Sequence, residues 1–309
     1  MDNKRALYAH LCVFTACVCW GLLSPLGKDA MAHGIDSIDM VALRVSGGAV
    51  LFWLASLFAK KERVPLRDRF LFIGAGLFGL VLNQCAFTIG LGITSPINAS
   101  IVTTSLPIFA MVLSAIMLKE PITGKKAIGV MIGCCGAVML IVSSAASGDS
   151  RVGDIRGDLL CVGAQLSFAF YLSLYNKMTK KYSPITVSKW MFLWAAVLIL
   201  PFTSGHLAQT DWAAVSLKSW METAFVVVIG TFAAYLLMMV GQHTLRPTVV
   251  SIYNYMQPVV AVTVSVLTGI GVFQWSQGLA ALFVFSGVWL VIKSKSRKDM
   301  LNEKQSAQS

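Results

Sequence analysis

The chain has 309 residues, of which 56% are hydrophobic and only 13% charged, and its mean hydropathy is +0.72. A soluble domain carries roughly a quarter charged residues, so this one has too little polar surface to cover a water-facing globule, and lipid is its expected solvent. The net charge of +11 sits in short stretches between apolar runs without a basic helix face or a zinc or RNA motif, which excludes nucleic acid as the expected partner.

A bilayer core about 30 Å thick needs roughly 20 apolar residues per helix. Segments of that kind run over Tyr8–Leu26, Asp39–Ala59, Phe70–Leu91, Pro96–Leu118 and Lys126–Val142, then Asp158–Tyr175, Thr186–Phe202, Trp220–Gln242, Pro247–Ile270 and Gln274–Ile292. The first reads as an uncleaved span and not a leader, because Lys28 and Asp29 crowd the Ala30-Met31-Ala32 site. The seventh is short and is expected to end at Pro201. The fold class is therefore all-α membrane protein with ten transmembrane helices.

Lys and Arg placement sets the orientation. With Arg44 inside a span, twenty of the remaining basic residues fall in one set of connections and the termini, and four (Lys28, Arg151, Arg156, Lys218) in the other. Both termini are accordingly expected in the cytoplasm, with the protein in the inner membrane of a bacterium. Trp53, Trp220, Trp275 and Trp289 fall toward span ends, as interface anchors do. The seven cysteines lie within apolar runs without a C-x-x-C pair and read as small packing residues; no metal and no cofactor is expected.

A shift of 151 residues aligns the chain with itself without gaps. It pairs Gly79 with Gly230, Gly90 with Gly241, Pro96 with Pro247, Pro107 with Pro258, Ala110 with Ala261, Ser114 with Ser265, and Gly136 with Gly287. Two halves of five spans each must enter the membrane in opposite senses, which gives two inverted five-helix repeats. The expected layout is a first repeat over 1–143, a periplasmic linker over 144–157, a second repeat over 158–292 and a polar cytoplasmic tail over 293–309. Thr103, Pro107, Ala110 and Ser114 share one helix face, as do Asn254, Pro258, Ala261 and Ser265. The prolines are expected to kink their helices, and the small residues to let neighbours approach closely.

These stretches resemble the EamA-type drug/metabolite transporters. Trp20-Gly21 followed by Lys28 is similar to the family's first-helix W-G motif, and Ala42-Leu43-Arg44 to its second-helix A-L-R-F motif, with Val45 in place of the aromatic. Ser105-Leu106-Pro107 through Lys119-Glu120, Gly129 to Gly136, Gly157-Asp158-Leu159-Leu160 and Gln257-Pro258-Val259 follow the repeat signature, although Gly271 stands where the second half would match Glu120. The resemblance implies a basket of helices whose central cavity is lined by spans one to four and six to nine, with spans five and ten outside. It leaves the cargo open among amino acids, purines, sugars and drugs.

Polar side chains inside a span are costly and therefore informative. The expected substrate contacts are Arg44, Asn83, Gln84, Thr103, Gln165, Tyr171, Tyr235 and Asn254. Arg44 either snorkels to the headgroups, pairs with an outer acid such as Asp36, or meets a carboxylate on the substrate. Asp and Glu are missing from the centres of the spans, which favours facilitated transport or exchange over proton coupling. The expected function is a secondary transporter, an exporter or facilitator, that carries a small metabolite such as an amino acid or related amphipathic solute by alternating access. A drug, purine or sugar carrier of the same kind is the alternative, and a channel-like pore the alternative of another class. An intramembrane enzyme would need a metal, nucleophile or paired-carboxylate motif that the sequence does not contain. The expected partners are a small-molecule substrate and the lipid bilayer, with the chain a monomer or weak homo-oligomer.

Overall fold

The computed structural model describes residues 3–117, 124–147, 149, 151–179, 181–244 and 253–292. Lys119, Glu120, Arg246, Pro247, Ser251, Ile252 and the tail from 293 lie outside them, as do the side chains of Ser114 and His243. Helices make up the fold, and the described residues contain no strand.

In chain order the helices are α1 (Asn3–Ala32), α2 (Ser37–Phe58), α3 (Leu66–Gly76), α4 (Leu82–Ile93), α5 (Pro96–Thr103), α6 (Leu106–Met117) and α7 (Gly124–Ser147). They continue as α8 (Ile155–Thr179), α9 (Pro184–Gln209), α10 (Leu217–Ala224), α11 (Ala234–Thr244), α12 (Met256–Leu267) and α13 (Trp275–Ile292). A π-helical segment, Leu77–Val81, joins α3 to α4, and another, Phe225–Ala233, joins α10 to α11. Among the described residues, seven helical runs are long and apolar enough to cross a bilayer: Leu7–Ala32, Ser37–Phe58, Leu66–Ile93, Pro96–Leu113, Ile155–Tyr175, Pro184–Gln209 and Leu217–Gly241. Three shorter apolar helices accompany them, Ala127–Ser143, Met256–Leu267 and Trp275–Leu290.

The helix starts follow from local chemistry. Asp36, Ser95, Ser183 and Ser216 each sit in extended backbone and accept a hydrogen bond from an amide of the first turn, which leaves fewer orphan donors. Ser95 and Ser183 are followed by Pro96 and Pro184, whose missing N–H is harmless at that position. At the other end of the bundle's α12, Gly269 turns the chain with φ +72, a conformation that residues with a Cβ rarely adopt.

Two boundaries differ from the sequence expectation. α9 passes through Pro201 and runs to Gln209. A helix tolerates the lost bond at a proline when its far end is held elsewhere. Here His206 Nδ1 lies 3.0 Å from Asp39 Oδ1, and the Thr210 hydroxyl donates to Asp39 Oδ2 at 2.6 Å. Asp39 is fully buried in α2, so this contact clamps the end of α9 to the start of α2. α7 likewise runs on through Ser147, and α8 begins at Ile155, so the connection between them is shorter than the segment 144–157.

The core is a set of helix contacts and not one central layer. Phe52, Phe72, Phe192 and Ala195 bury the contact of α2, α3 and α9, while Ile97, Ile101, Leu140, Cys161 and Val284 bury that of α5, α7, α8 and α13. Phe58, Phe202, Leu267 and Trp275 stay more than four-fifths exposed on the outside, as lipid-facing side chains do. Cys134 and Cys135 are exposed on α7 and do not pack as expected of them, whereas Cys12, Cys17, Cys19 and Cys161 are buried.

Glycines set the closest helix approach. A Cβ on Gly136 would lie 2.8 Å from the Ala280 carbonyl oxygen, and one on Gly287 would lie 2.5 Å from the Gly129 carbonyl oxygen, so α7 and α13 touch backbone to backbone. Gly287→Leu must therefore part the two helices. The expected outcome is a loss of about 1–3 kcal/mol, measured as a lower unfolding temperature of the purified protein in micelles. Gly205→Leu, where nothing stands within 4 Å of the new Cβ, should not lower it and gains helix propensity instead.

Candidate functional site

The interior holds two adjoining cavities, of about 240 and about 160 Å³, that share Trp20, Leu106, Phe168, Tyr235 and Asn254. Together they form one chamber. Its lining comes from α1, α2, α4 and the π segment before it, the α5–α6 break, α8, α9, α11, and the first turn of α12 with the residues before it. No lining residue belongs to α7 or α13.

Irregular backbone frames this chamber. Pro107 cannot donate to the Thr103 carbonyl four residues earlier, and Pro258 cannot donate to that of Asn254. The chain responds with a short break in each helix, at the prolines where the sequence expects kinks. The Thr104 and Ser105 amides donate instead to Ile101 and Val102, three residues back, at 3.1 and 3.0 Å, and α6 starts afresh at Leu106. In the second half the Gln257 amide donates to the Asn254 carbonyl at 3.1 Å, and α12 starts at Met256. Thr103 and Asn254, the residues at these breaks, both line the smaller cavity. Gly79 and Leu80 of the first π segment line the larger one.

The chamber is polarised along its axis. Ser24, Arg44, Asn83, Gln165 and Gln257 line the smaller cavity only, toward the end of the bundle where α2 and α8 begin. Tyr171, Leu172, Met191, Phe192 and Met238 line the larger cavity only, toward the end where α9 begins. One wall is amphipathic and the other almost wholly apolar and aromatic. Such a shape suits a solute with a polar head and an apolar body.

Arg44 is the charged group of the smaller cavity. It is 6% exposed. Its Nη1 donates to the Thr88 hydroxyl at 3.1 Å and its Nε to the Thr231 hydroxyl at 3.4 Å. Thr231 in turn donates to the Val226 carbonyl five residues back at 2.9 Å, using an acceptor of the second π segment. Among the described residues no ion pair reaches Arg44. Both protein-side alternatives for Arg44 are thereby corrected: burial rules out snorkelling, and Asp36 lies instead 3.5 Å from His206 Nε2. A buried guanidinium held by two neutral hydroxyls is under-compensated.

The other expected contacts divide. Gln165, Tyr171, Tyr235, Thr103 and Asn254 line the chamber. Asn83 lines it as well, yet its Nδ2 donates to the Ala164 carbonyl at 2.8 Å and so also joins α4 to α8. Thr103 donates to the Ser100 carbonyl at 2.7 Å. Gln84 does not line either cavity; it is 2% exposed, and its Oε1 is a buried acceptor without a hydrogen-bond partner among the described residues. Of the packing residues, Pro258, Ala261 and Ser265 are buried, Pro107 and Ala110 half-buried. A Cβ on Gly21 would come within 2.7 Å of Val260 Cβ, so α1 meets α12 one residue from Ala261.

Sequence reasoning passed over Trp20 and Phe168 as contacts, although both face the whole chamber. Trp20 Nε1 donates to the Gly230 carbonyl at 3.0 Å and its ring stands edge-on to Tyr235, 5.7 Å between centroids. The signal for Phe168 was present: Gln165, Phe168 and Leu172 recur at i, i+3 and i+7, one face of a helix.

Comparison with known proteins gives consistent results. The family model described as the EamA-like transporter family matches residues 7–142 and 155–293. The uncharacterized transporter YetK of Bacillus subtilis (strain 168) is 22% identical over 299 residues, covering 96% of this chain and 90% of its own. The S-adenosylmethionine uptake transporter of Rickettsia conorii is 22% identical over 252 residues, covering 79% and 81%. A solved crystal structure shares the fold, with TM-score 0.61 and 18% identity over 91% of this chain and 94% of its own.

The lone guanidinium predicts a trade of stability for function. Arg44→Met removes a charge that the interior solvates poorly and should raise the unfolding temperature of the ligand-free protein, by on the order of 1 kcal/mol in stability. A lower unfolding temperature would show that Thr88 and Thr231 compensate the charge fully.

Proposed function

This chain belongs to the EamA-like transporter family, and from that premise we propose that it is a secondary carrier of a small amphipathic solute bearing a carboxylate, such as an amino acid. It is a multi-pass membrane transporter and not an enzyme. The observation that carries the solute class is Arg44. Its guanidinium borders the polar cavity, is buried, and lacks an acidic partner among the described residues. A substrate carboxylate would supply the missing charge, and a bidentate guanidinium–carboxylate pair is both strong and directional. The apolar cavity beyond Tyr235 and Phe168 accepts the body of the solute.

The mechanism we infer is alternating access between two inverted five-helix halves, with both termini on the cytoplasmic side of a bacterial inner membrane. Counting the three shorter apolar helices as spans brings the seven long runs to ten. The offset of 151 residues supports the duplication. It carries Leu77–Val81 onto 228–232, inside the second π segment. It also exchanges the pair Gly136 with Ala280 for the pair Gly287 with Gly129, which are the two backbone contacts between α7 and α13. Helix neighbours follow the same exchange: α4 and α6 pack on α8 as α11 and α12 pack on α1, while α2 with α9 maps onto itself. A pseudo-twofold of this kind supports the proposal of a common site between halves that rock about it.

Counterflow in liposomes with purified protein tests the solute class. The panel holds amino acids, their amines lacking the carboxylate, and S-adenosylmethionine, the solute named for the Rickettsia conorii relative. A carboxylate-bearing solute should exchange, and Arg44→Gln should weaken its half-saturation about 10- to 100-fold, as expected for loss of a charge-assisted pair. Equal handling of acid and amine, or unchanged exchange by Arg44→Gln, would remove the carboxylate from the proposal. Tyr171→Ala and Tyr235→Ala should abolish flux while leaving folded protein at normal yield. Reporter fusions at the two termini should report the same face of the membrane; opposite faces would break the ten-span scheme.

A further inference from the structure

A second, larger cavity of about 870 Å³ lies away from the chamber, at the end of the bundle where α2 stops and α3 and α9 begin. Its lining holds five cationic side chains, Lys60, Lys61, Arg63, Arg69 and Lys189, against one carboxylate, Glu62. We propose that this pocket binds the headgroup of an anionic phospholipid from the adjacent leaflet.

Charge alone would not distinguish the pocket from the basic connections expected at one membrane face; its construction does. Trp53 and Trp190 form an edge-on pair, 5.7 Å between ring centroids, at its wall. The Lys189 ammonium stands 5.1 Å from the centre of the Trp53 ring, and the Arg69 guanidinium carbon 5.0 Å from that of Trp190. Cation–ring contacts hold these two cations in place before a ligand arrives. Arg69 also donates its Nε to the Val64 carbonyl at 3.0 Å, which fixes the plane of the guanidinium.

The single acid is already engaged. Glu62 accepts hydrogen bonds from the Ser183 amide at 3.0 Å and the Ser183 hydroxyl at 2.8 Å. Burial opposes its ionisation, but hydrogen bonds from Thr186 and Ser183 outweigh that and hold its pKa below the ordinary glutamate value. It ties the α2–α3 connection to the start of α9 and is attracted by Lys189, so its one negative charge leaves the other four cations of the lining, Lys60, Lys61, Arg63 and Arg69, without an anion there. Trp190 Nε1–H, meanwhile, is a buried donor without an acceptor among the described residues. By contrast Lys181, at the same end, donates to Asp68 at 2.6 Å and is thereby spoken for.

The neighbourhood points to a lipid over a soluble phosphate. The last turns of α2 beside the pocket expose Leu54, Leu57 and Phe58, the last at 93%. A headgroup seated among the cations would run its acyl chains down this apolar strip, and basic pockets at the membrane face recognise anionic headgroups in this way.

The test uses the full-length protein purified in a neutral detergent, with phosphatidylglycerol, phosphatidylcholine and inorganic phosphate as probes. Native mass spectrometry reads bound lipid and thermal unfolding reads stabilisation. Phosphatidylglycerol should bind and raise the unfolding temperature, and the other two should not. Arg63→Gln and Lys189→Gln should each weaken phosphatidylglycerol binding about fivefold, and Arg67→Gln, a charge lost outside the lining, should leave it unchanged. Equal binding of the two lipids, or equal loss in Arg67→Gln, overturns the site. Stabilisation by inorganic phosphate to the same extent overturns the lipid assignment. None of these readouts involves transport, so the outcome is independent of the solute carried.

Discussion

A polypeptide in hydrocarbon has to satisfy its own backbone hydrogen bonds, because there is no water to do it. Everything distinctive about this chain follows from where it obeys that constraint and where it departs from it. Helices fill the described residues, and the departures are few: two π segments and two breaks ahead of Pro107 and Pro258. They turn up in helices that line the chamber, where protein and not lipid surrounds the irregular backbone. α7 and α13, which contribute nothing to the chamber, are uninterrupted over their described lengths. Every such departure thus falls in a helix that borders the chamber, although α1, α2, α8 and α9 border it without one.

The second consequence concerns charge. Most acidic groups near the ends of the bundle find a partner: Asp29 with Lys218, Asp68 with Lys181 and Tyr182, Asp39 with His206 and Thr210. These contacts join helices distant in sequence and fix their ends. Arg44 is built differently, buried at the chamber with hydroxyls alone around it. A fold that neutralises charge elsewhere and leaves it open at the cavity has a charge still to be met there, which is the ground for the carboxylate proposed above. The cations of the pocket between α2 and α9 form the corresponding exception at the bundle's end.

Much of this was legible in the residues. Apolar runs of span length, the 151-residue offset and the paired prolines are local or periodic features, and one chain suffices to see them. Gln165, Tyr171, Tyr235, Thr103 and Asn254 could be selected because a polar or aromatic tip inside a span needs a reason. Where that logic failed, it failed on contact. Gln84 is as polar as Asn83 and adjacent to it, yet only Asn83 faces the chamber, because neighbours on a helix point about 100° apart and the rotation of α4 is set by its packing on α8. Pro201 looked like a helix end because the clamp from Asp39 to His206 joins residues 167 apart.

The sequence by itself determined that the chain is helical and made for lipid, and that an offset of 151 residues pairs several of its glycines and prolines, since each of these depends on composition or on spacing along the chain. Only the tertiary structure decided which polar groups face a common space, that Arg44 stands among hydroxyls and not acids, and that five cations and two tryptophans from α2, α3, α9 and the α2–α3 connection converge on one pocket. Such facts turn on helix rotation and on partners far apart in the chain, and these are fixed by packing of the whole and not by any residue's own preference.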